Sequence, residues 1–506
     1  MTGGSRNAPP RAGAMLEALR GLGYSTAAAL ADIIDNSVSA GASQVHVGFA
    51  WAGAESRVSV VDDGRGMSDA ELESAMTLGD KSPLDERHPG DLGRFGMGLK
   101  TASFSQCRRL TVATAKAGAR SCLRWDLDAL ARDPSGGWLL FEGPAPGSEA
   151  FLAPLSDKAS GTLVLWEAMD RVVTRAYTAD DFVDLIDRVE AHLAMVFHRL
   201  LEGPRARLRI LINGRPVAPW DPFMSGHPAK PWNSPIARSS ADAVTVAVEC
   251  HVLPHKDKLS AEEFERAAGP DGWNAQQGFY VYRNERLLVA GGWLGLGPGR
   301  AWNREEPYRL ARIRLDIPNT ADAAWKIDIR KSIARPPVSM RPWLTKLAEH
   351  TREQARKVFA YRGSPTQPRV GGPIEQAWRV ERSNAGARYR IDEKHPAVAA
   401  ALGAAAEHAP LIRAMLRVVE ETVPVQRIWL DTAENKDTPR TGFAGEPAAA
   451  VVEVLKALYA DMVGRRAMSD ERAKKALSTT EPFQNYPDLI AALPGESGPD
   501  NNPGTP

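Results

Sequence analysis

Apolar and polar positions fall into a few distinct regimes along the chain. The run YSTAAALADIIDNSVSAGA repeats apolar residues at three- and four-residue spacing and predicts a helix. QVHVGFAW and RVSVVDDG then alternate with a period of two, and LTVATAKAG, CLRWDLDAL and GTLVLWEAM continue the strand signature. An amphipathic helix is predicted over roughly 180–201, through VDLIDRVEAHLAMVFHRLL. From Arg207 to Ile333 the runs RLRILING, AVTVAVECHVL, GFYVYRNERLLVAG, YRLARIRLDI and WKIDIRKSI read as strands with helical crossovers. Past Pro337 comes PWLTKLAEHTREQARKVFAYRG, then the Pro/Gly-rich link GSPTQPRVGGP. Helical AVAAALGAAAEHAPLIRAMLRVVEETV and AAAVVEVLKALYADMVGRRA follow.

This pattern divides the chain into a disordered tail at 1–12, an α/β domain at 13–170, a second α/β domain at 171–337, a helix and linker at 338–373, a mostly helical domain at 374–493 and a disordered tail at 494–506. The length, 506 residues, asks for several domains at roughly 100–200 residues each. With 43% hydrophobic and 25% charged residues, global disorder is excluded. Lys plus Arg number 63 against 62 acids, a net charge of +1, so any nucleic-acid contact must come from a local patch. The stretch Arg341 to Arg390, with Tyr361, Trp378 and Tyr389 interleaved, reads equally well as a DNA-facing stripe or as a helical linker with a solvated basic face. Cys107, Cys122 and Cys250 lie far apart, which argues against a disulfide framework or a structural zinc site and for a reducing, cytoplasmic setting. No apolar run reaches the ~18 residues needed to cross a membrane, and the first fifteen residues lack an apolar leader.

Four elements carry candidate chemistry. In ADIIDNS, Asp32 and Asn36 stand at i and i+4 on one helix face, suited to a water-activating base beside a neutral oxygen ligand for Mg²⁺. In VVDDGRGM, Asp62 ends a strand, placed to accept a hydrogen bond from an exocyclic amine, while Gly64 and Gly66 permit a sharp turn near a flat ligand. In GRFGMGLKTASF, Gly93, Gly96 and Gly98 lead into a helix whose free amides suit phosphates, and Lys100 adds a charge. In GTLVLW, Thr162 opens a strand and offers a hydroxyl to an adenine subsite. Trp220, Trp273, Trp293 and Trp325 read as packing aromatics.

In this order the four elements resemble the boxes of the GHKL ATPase superfamily, which unites gyrase, ninety-kilodalton heat-shock chaperones, histidine kinases and MutL. ADIIDNS is similar to its N box, VVDDGRGM to its DxGxG box, GRFGMGLKTASF to its second glycine box, and GTLVLW to its GT box. IDNSVSAGA, LGDKS and HLAMVFHRLL are most similar to the MORC and MutL-like branch, including prokaryotic MORC relatives associated with restriction and phage-defence loci. The resemblance covers about Met15 to Pro337 and implies a Bergerat-type α/β sandwich, an S5-like transducer domain and a mostly helical C-terminal region. It further implies binding of ATP and Mg²⁺, with Asp32 as general base, Asn36 on the metal, and a lysine lent by the transducer to the γ-phosphate. Lys331 is the first candidate for that lysine and Lys326 the second. The implied nucleotide contacts are Asn36, Asp62, Gly64, Gly66, Met67, Lys81, Gly93, Arg94, Phe95, Gly96, Met97, Gly98, Leu99, Lys100 and Thr162, with a lid over about Thr77–Gly93 in which His88 reads as solvated.

Asp32 departs from the family's usual Glu and is a methylene shorter, which implies slow hydrolysis. Asp35 is a nearby carboxylate, read here as solvated or capping. The resemblance implies a slow ATPase that dimerises with nucleotide and clamps or remodels DNA or a DNA-bound complex, with protein partners from a defence or restriction locus. A heat-shock-type chaperone and an ATP-binding interaction module with little hydrolysis are the alternatives.

Overall fold

The computed structural model describes all residues except 1–9, 22, 81–97, 134, 205, 242–243, 323, 329–330, 332, 360–374, 384–385, 429–448, 466 and 495–506. After a short helix α1 (Ala12–Arg20), the predicted helix α2 (Thr26–Ser39) begins where the Ser25 side chain accepts the otherwise unpaired Ala28 amide at 3.2 Å. Its apolar face, Ala29, Leu30, Ile33 and Ile34, is fully buried, each large side chain contributing ~1.5–3 kcal/mol of transfer free energy. The face rests on a sheet whose strands read as predicted: β1 (Gln44–Ala50) buries every second residue, and Val45, Val47 and Phe49 enter the core.

The chain continues through β2 (Arg57–Asp62), α3 (Asp69–Met76), α4 (Gly98–Phe104), the hairpin β3 (Arg109–Lys116) and β4 (Ala119–Asp126), α5 (Leu127–Arg132), β5 (Phe141–Glu142), β6 (Gly161–Glu167), α6 (Ala179–Val196), α7 (His198–Leu201), β7 (Arg209–Ile212) and β8 (Arg215–Pro216). These strands form an eight-stranded sheet in the order β5-β4-β3-β6-β2-β1-β7-β8. A second, smaller apolar cluster of Val61, Ala113, Ala115, Leu155, Leu163 and Leu165 fills the other face of its centre. The sheet with its helices is the expected α/β sandwich.

The first layer does not end near residue 170 as expected. α6 packs on α2, and β7 pairs in parallel with β1 through Gln44↔Arg209 and Val47↔Ile212, so the first core runs on to Val217. RLRILING, expected in the second domain, is therefore an outer strand of the first sheet. The helix expected over 180–201 also breaks at Phe197, between α6 and α7.

The second sheet contains β9 (Trp232–Asn233), β10 (Ala237–Ala241), β11 (Val244–Val252), β12 (Gly278–Arg283), β13 (Arg286–Ala290) and β14 (Ala311–Ile317), with α8 (Ala261–Ala268) and α9 (Gly272–Ala275) between β11 and β12. Its order is β10-β11-β14-β12-β13, with β9 on β11. Trp273, Trp293 and Trp325 are buried in its core, and Trp220 packs at its border. α10 (Arg341–Phe359), expected as a linker helix, buries Leu344, Ala348 and Ala355 against the same core. WKIDIRKSI forms no strand among its described residues, because Lys326 and Lys331 have left-handed backbones (φ +49° and +54°) that interrupt any ladder. The two layers form one compact unit, residues 1–360.

Residues 361–506 form a separate unit. It begins with an antiparallel hairpin, β15 (Trp378–Ser383) and β16 (Gly386–Ile391), followed by α11 (Pro396–Ala404), α12 (Ala409–Glu421), α13 (Ala449–Ala460), α14 (Asp470–Leu477) and α15 (Pro487–Ala491). The stretch Arg341–Arg390 falls in both units and includes β15 and β16, so it is not the continuous helical linker that was one of its two readings. Two of its arginines are also buried. Arg352 lies over the Tyr308, Trp293 and Trp302 rings at 3.6–4.7 Å, and Arg390 pairs with Glu420 and Glu421.

Candidate active site

Asp62 ends β2 with its carboxylate almost fully buried. Its Oδ1 accepts the amides of Gly64 (2.9 Å) and Thr162 (3.1 Å), and its Oδ2 accepts the Ser37 hydroxyl (2.7 Å). Burial pushes the carboxyl above its ordinary value, and these donors oppose that rise. The arrangement fixes the carboxylate's orientation and leaves Oδ2 with acceptor capacity for one more donor. Thr162 contributes its amide to holding this carboxylate. Ser37 went unnoticed in the sequence, although it directly follows Asn36.

The glycines around this carboxylate serve the protein backbone itself. Gly66 (φ +66°) lies so close to β3 that a Cβ would fall 1.8 Å from the Ala115 carbonyl oxygen. At Gly161 (φ +144°) a Cβ would fall 2.5 Å from the Asp62 carbonyl oxygen. A side chain at Gly161 would push β6, which carries Thr162, away from Asp62, and one at Gly66 would push the turn after Asp62 off β3. Met67 is tied to β3, its amide donating to Thr114 Oγ1 at 2.8 Å.

One helical turn before Asn36, Asp32 is buried in a charged cluster that spans the two layers. Its Oδ2 accepts the Tyr24 hydroxyl at 3.1 Å, and its Oδ1 accepts the Lys331 ammonium at 2.9 Å. Lys331 also donates to Asp35 Oδ2 at 2.5 Å. Arg286, from β13, donates its Nε to Asp35 Oδ1 at 3.1 Å and holds its Nη2 3.6 Å from Asp32. Burial alone would raise the Asp35 carboxyl, but Arg286 and Lys331 together hold it below the ordinary carboxylate range. Burial, reinforced by Asp32, drives the Tyr24 phenol upward, so it stays a donor. On α6, burial and then Arg286 push His192 down to about 4, leaving it neutral at pH 7.

Asp35 is therefore not a solvated or capping residue: it is 2% exposed and faces the second layer. Of the two candidate lysines, Lys331 reaches the cluster, while Lys326 is exposed. Asn36 is the exposed residue in the otherwise buried stretch Ala29–Ser37, so its carboxamide is open to an incoming metal-bound phosphate. A single neutral oxygen beside a triphosphate fits Mg²⁺, which keeps several waters.

Lys100 is buried and donates to the carbonyls of Ala75 (2.9 Å) in the last turn of α3 and of Thr77 (2.7 Å) at its C-cap, an anchoring use that sequence reasoning did not anticipate. Gly98 starts α4, and Leu99 packs on the first core. Lys81, His88, Gly93, Arg94, Phe95, Gly96 and Met97 lie outside the described residues. Elsewhere, His198, Glu202 and Asp221 bring ligand-type atoms within 4.8 Å of one another. Protein partners already engage them: His198 contacts Glu202 (2.7 Å) and Tyr282 (2.8 Å), and Asp221 accepts the Phe223 and Ser225 amides.

Residues 24–162, which hold Tyr24, Asp32, Asn36, Asp62 and Thr162, match the family described as histidine kinase-, DNA gyrase B-, and HSP90-like ATPase. This part of the chain is a GHKL ATPase domain, in agreement with its boxes and its α/β sandwich. Over 95 residues the chain is 33% identical to the ATPase morc-1 of Caenorhabditis elegans, a similarity within the MORC-like branch that covers 19% of this chain and 11% of that relative. None of the helices among the described residues is long and apolar enough to cross a membrane.

Proposed function

We propose that the protein is a slow ATPase of the MORC kind, a switch in which bound Mg-ATP brings two copies together to clamp or remodel DNA or a DNA-bound complex, in a defence setting. The observation that carries this reading is the Lys331 ammonium, delivered from the second layer onto Asp32. ATP would dock its adenine amine on Asp62, with Asn36 turned toward the metal that neutralises phosphate charge. Asp32 takes the proton of the attacking water at its carboxylate, and Tyr24 orients that group through Oδ2. While Lys331 sits on Oδ1, the base is partly occupied. Transfer of the ammonium to the terminal phosphate uncovers the base and links the nucleotide to the position of the second layer.

A second reading, an ATP-gated interaction module with little turnover, is favoured by that same occupancy and by the short Asp32 side chain. Single-turnover hydrolysis separates the two, and the switch requires measurable product within the lifetime of the bound nucleotide. Light scattering tests the dimer: a non-hydrolysable ATP analogue should double the mass, and one unchanged mass in all nucleotide states contradicts the switch. DNA-stimulated turnover supports the DNA-directed reading, while holdase activity without a DNA response favours a chaperone.

A further inference from the structure

Two buried carboxylates face two cations across the layers, and the four contacts are unequal. Lys331 is shared, at 2.9 Å from Asp32 and 2.5 Å from Asp35, and it sits on a loop at a left-handed residue outside any strand. Arg286 is fixed. It lies in β13, is 4% exposed, and its guanidinium is held by Asp35 (3.1 Å), the Leu287 carbonyl (2.7 Å) and the Phe197 ring. If Lys331 alone balanced the pair, moving it to a phosphate would leave two like charges buried together, which is strongly unfavourable. With Arg286 in place, a cation stays within 3.1 Å of Asp35 and 3.6 Å of Asp32 after Lys331 departs. His192 on α6 and Tyr24 complete the surroundings, both neutral at pH 7.

We propose that Arg286 is a positioning residue, a pin that keeps β13 docked on α2 through Asp35 while Lys331 exchanges between the two carboxylates and the terminal phosphate. The proposal rests on the ATPase reading above for the exchange, but not for the pin. It divides the tasks: Lys331 moves and meets the nucleotide, whereas Arg286 never touches it.

The test uses the full chain with Arg286→Gln, Arg286→Lys, Lys331→Met and the pair Arg286→Gln/Asp35→Asn. Calorimetry with a non-hydrolysable ATP analogue, single-turnover hydrolysis and thermal melting are read on each. Arg286→Gln should bind the analogue within about threefold of the parent yet hydrolyse at least ~10-fold more slowly, a split that marks positioning over affinity. Arg286→Lys should recover part of that rate, because it keeps the charge and loses the fork. The paired variant should melt close to the parent, since no charge is left uncompensated, and still hydrolyse slowly. Recovery of hydrolysis together with melting, or a parental rate in Arg286→Gln, overturns the proposal. If the parent itself fails to hydrolyse ATP, the ATPase reading falls, and melting alone judges the pin. Arg286→Gln must then lower the melting temperature more than Lys331→Met does, and the reverse order overturns it.

Discussion

Lys331 and Asp32 are 299 positions apart in sequence, yet the ammonium of one lies 2.9 Å from the carboxylate of the other. The contact joins a loop after the second sheet to the helix at the base of the first, so whatever displaces Lys331 is felt in both layers. A phosphate competing for that ammonium has the differential interaction that a nucleotide switch requires.

The adenine assignment makes Asp62 indispensable and Ser37 supportive. Asp62→Ala should abolish ATP binding, and Ser37→Ala should weaken it by about 1 kcal/mol, the scale of one hydrogen bond to an oriented carboxylate. Calorimetric titration checks both, and unchanged affinity in Asp62→Ala contradicts the assignment.

Asn36, exposed among buried neighbours, should act on the metal and not on the fold. Asn36→Ala is expected to melt within about 0.5 kcal/mol of the parent, as surface changes usually do, while losing the Mg²⁺ dependence of nucleotide binding. Titrations with and without Mg²⁺ check this; equal affinities in parent and variant under both conditions contradict it.

Acid should destabilise the first unit before its carboxylates dominate. Burial, then Lys230 and Arg314, pushes His251 down to about 3, and His192 lies at about 4, against an ordinary value of 6.5. Both histidines are neutral when folded but take up protons when unfolded, so stability is full above about pH 7 and falls as pH drops through 6.5 toward 4, by a few kcal/mol in all. Asp35, depressed when folded, adds a further loss at lower pH. Urea midpoints between pH 7.5 and 4.5 check the slope, and His251→Gln should flatten it.

Much of the site could be read from local pattern. Asp32 and Asn36 share a helix face by spacing, and Asp62 stands at a strand end marked by glycines. Arg286 was not visible in this way because its meaning lies with Asp35, 251 positions away. The available signal was a charged residue in a run whose neighbours Leu287 and Leu288 are buried and apolar. The boundary near residue 170 failed for a related reason, since β7 returns to pair with β1 and no local periodicity records a parallel partner. WKIDIRKSI alternates like a strand, but its left-handed lysines turn the chain out of a ladder, and Lys331 reaches the site.

The most direct test is single-turnover hydrolysis by Asp32→Asn, with ATP binding measured alongside. The amide keeps the size of the side chain but cannot accept the water's proton, so binding should persist while the rate falls by ~10²- to 10⁴-fold. Asp32→Glu, with the longer reach, should hold or raise the rate. Parental hydrolysis in Asp32→Asn, with loss in Asp35→Asn, would contradict Asp32 as the base and transfer that role to Asp35.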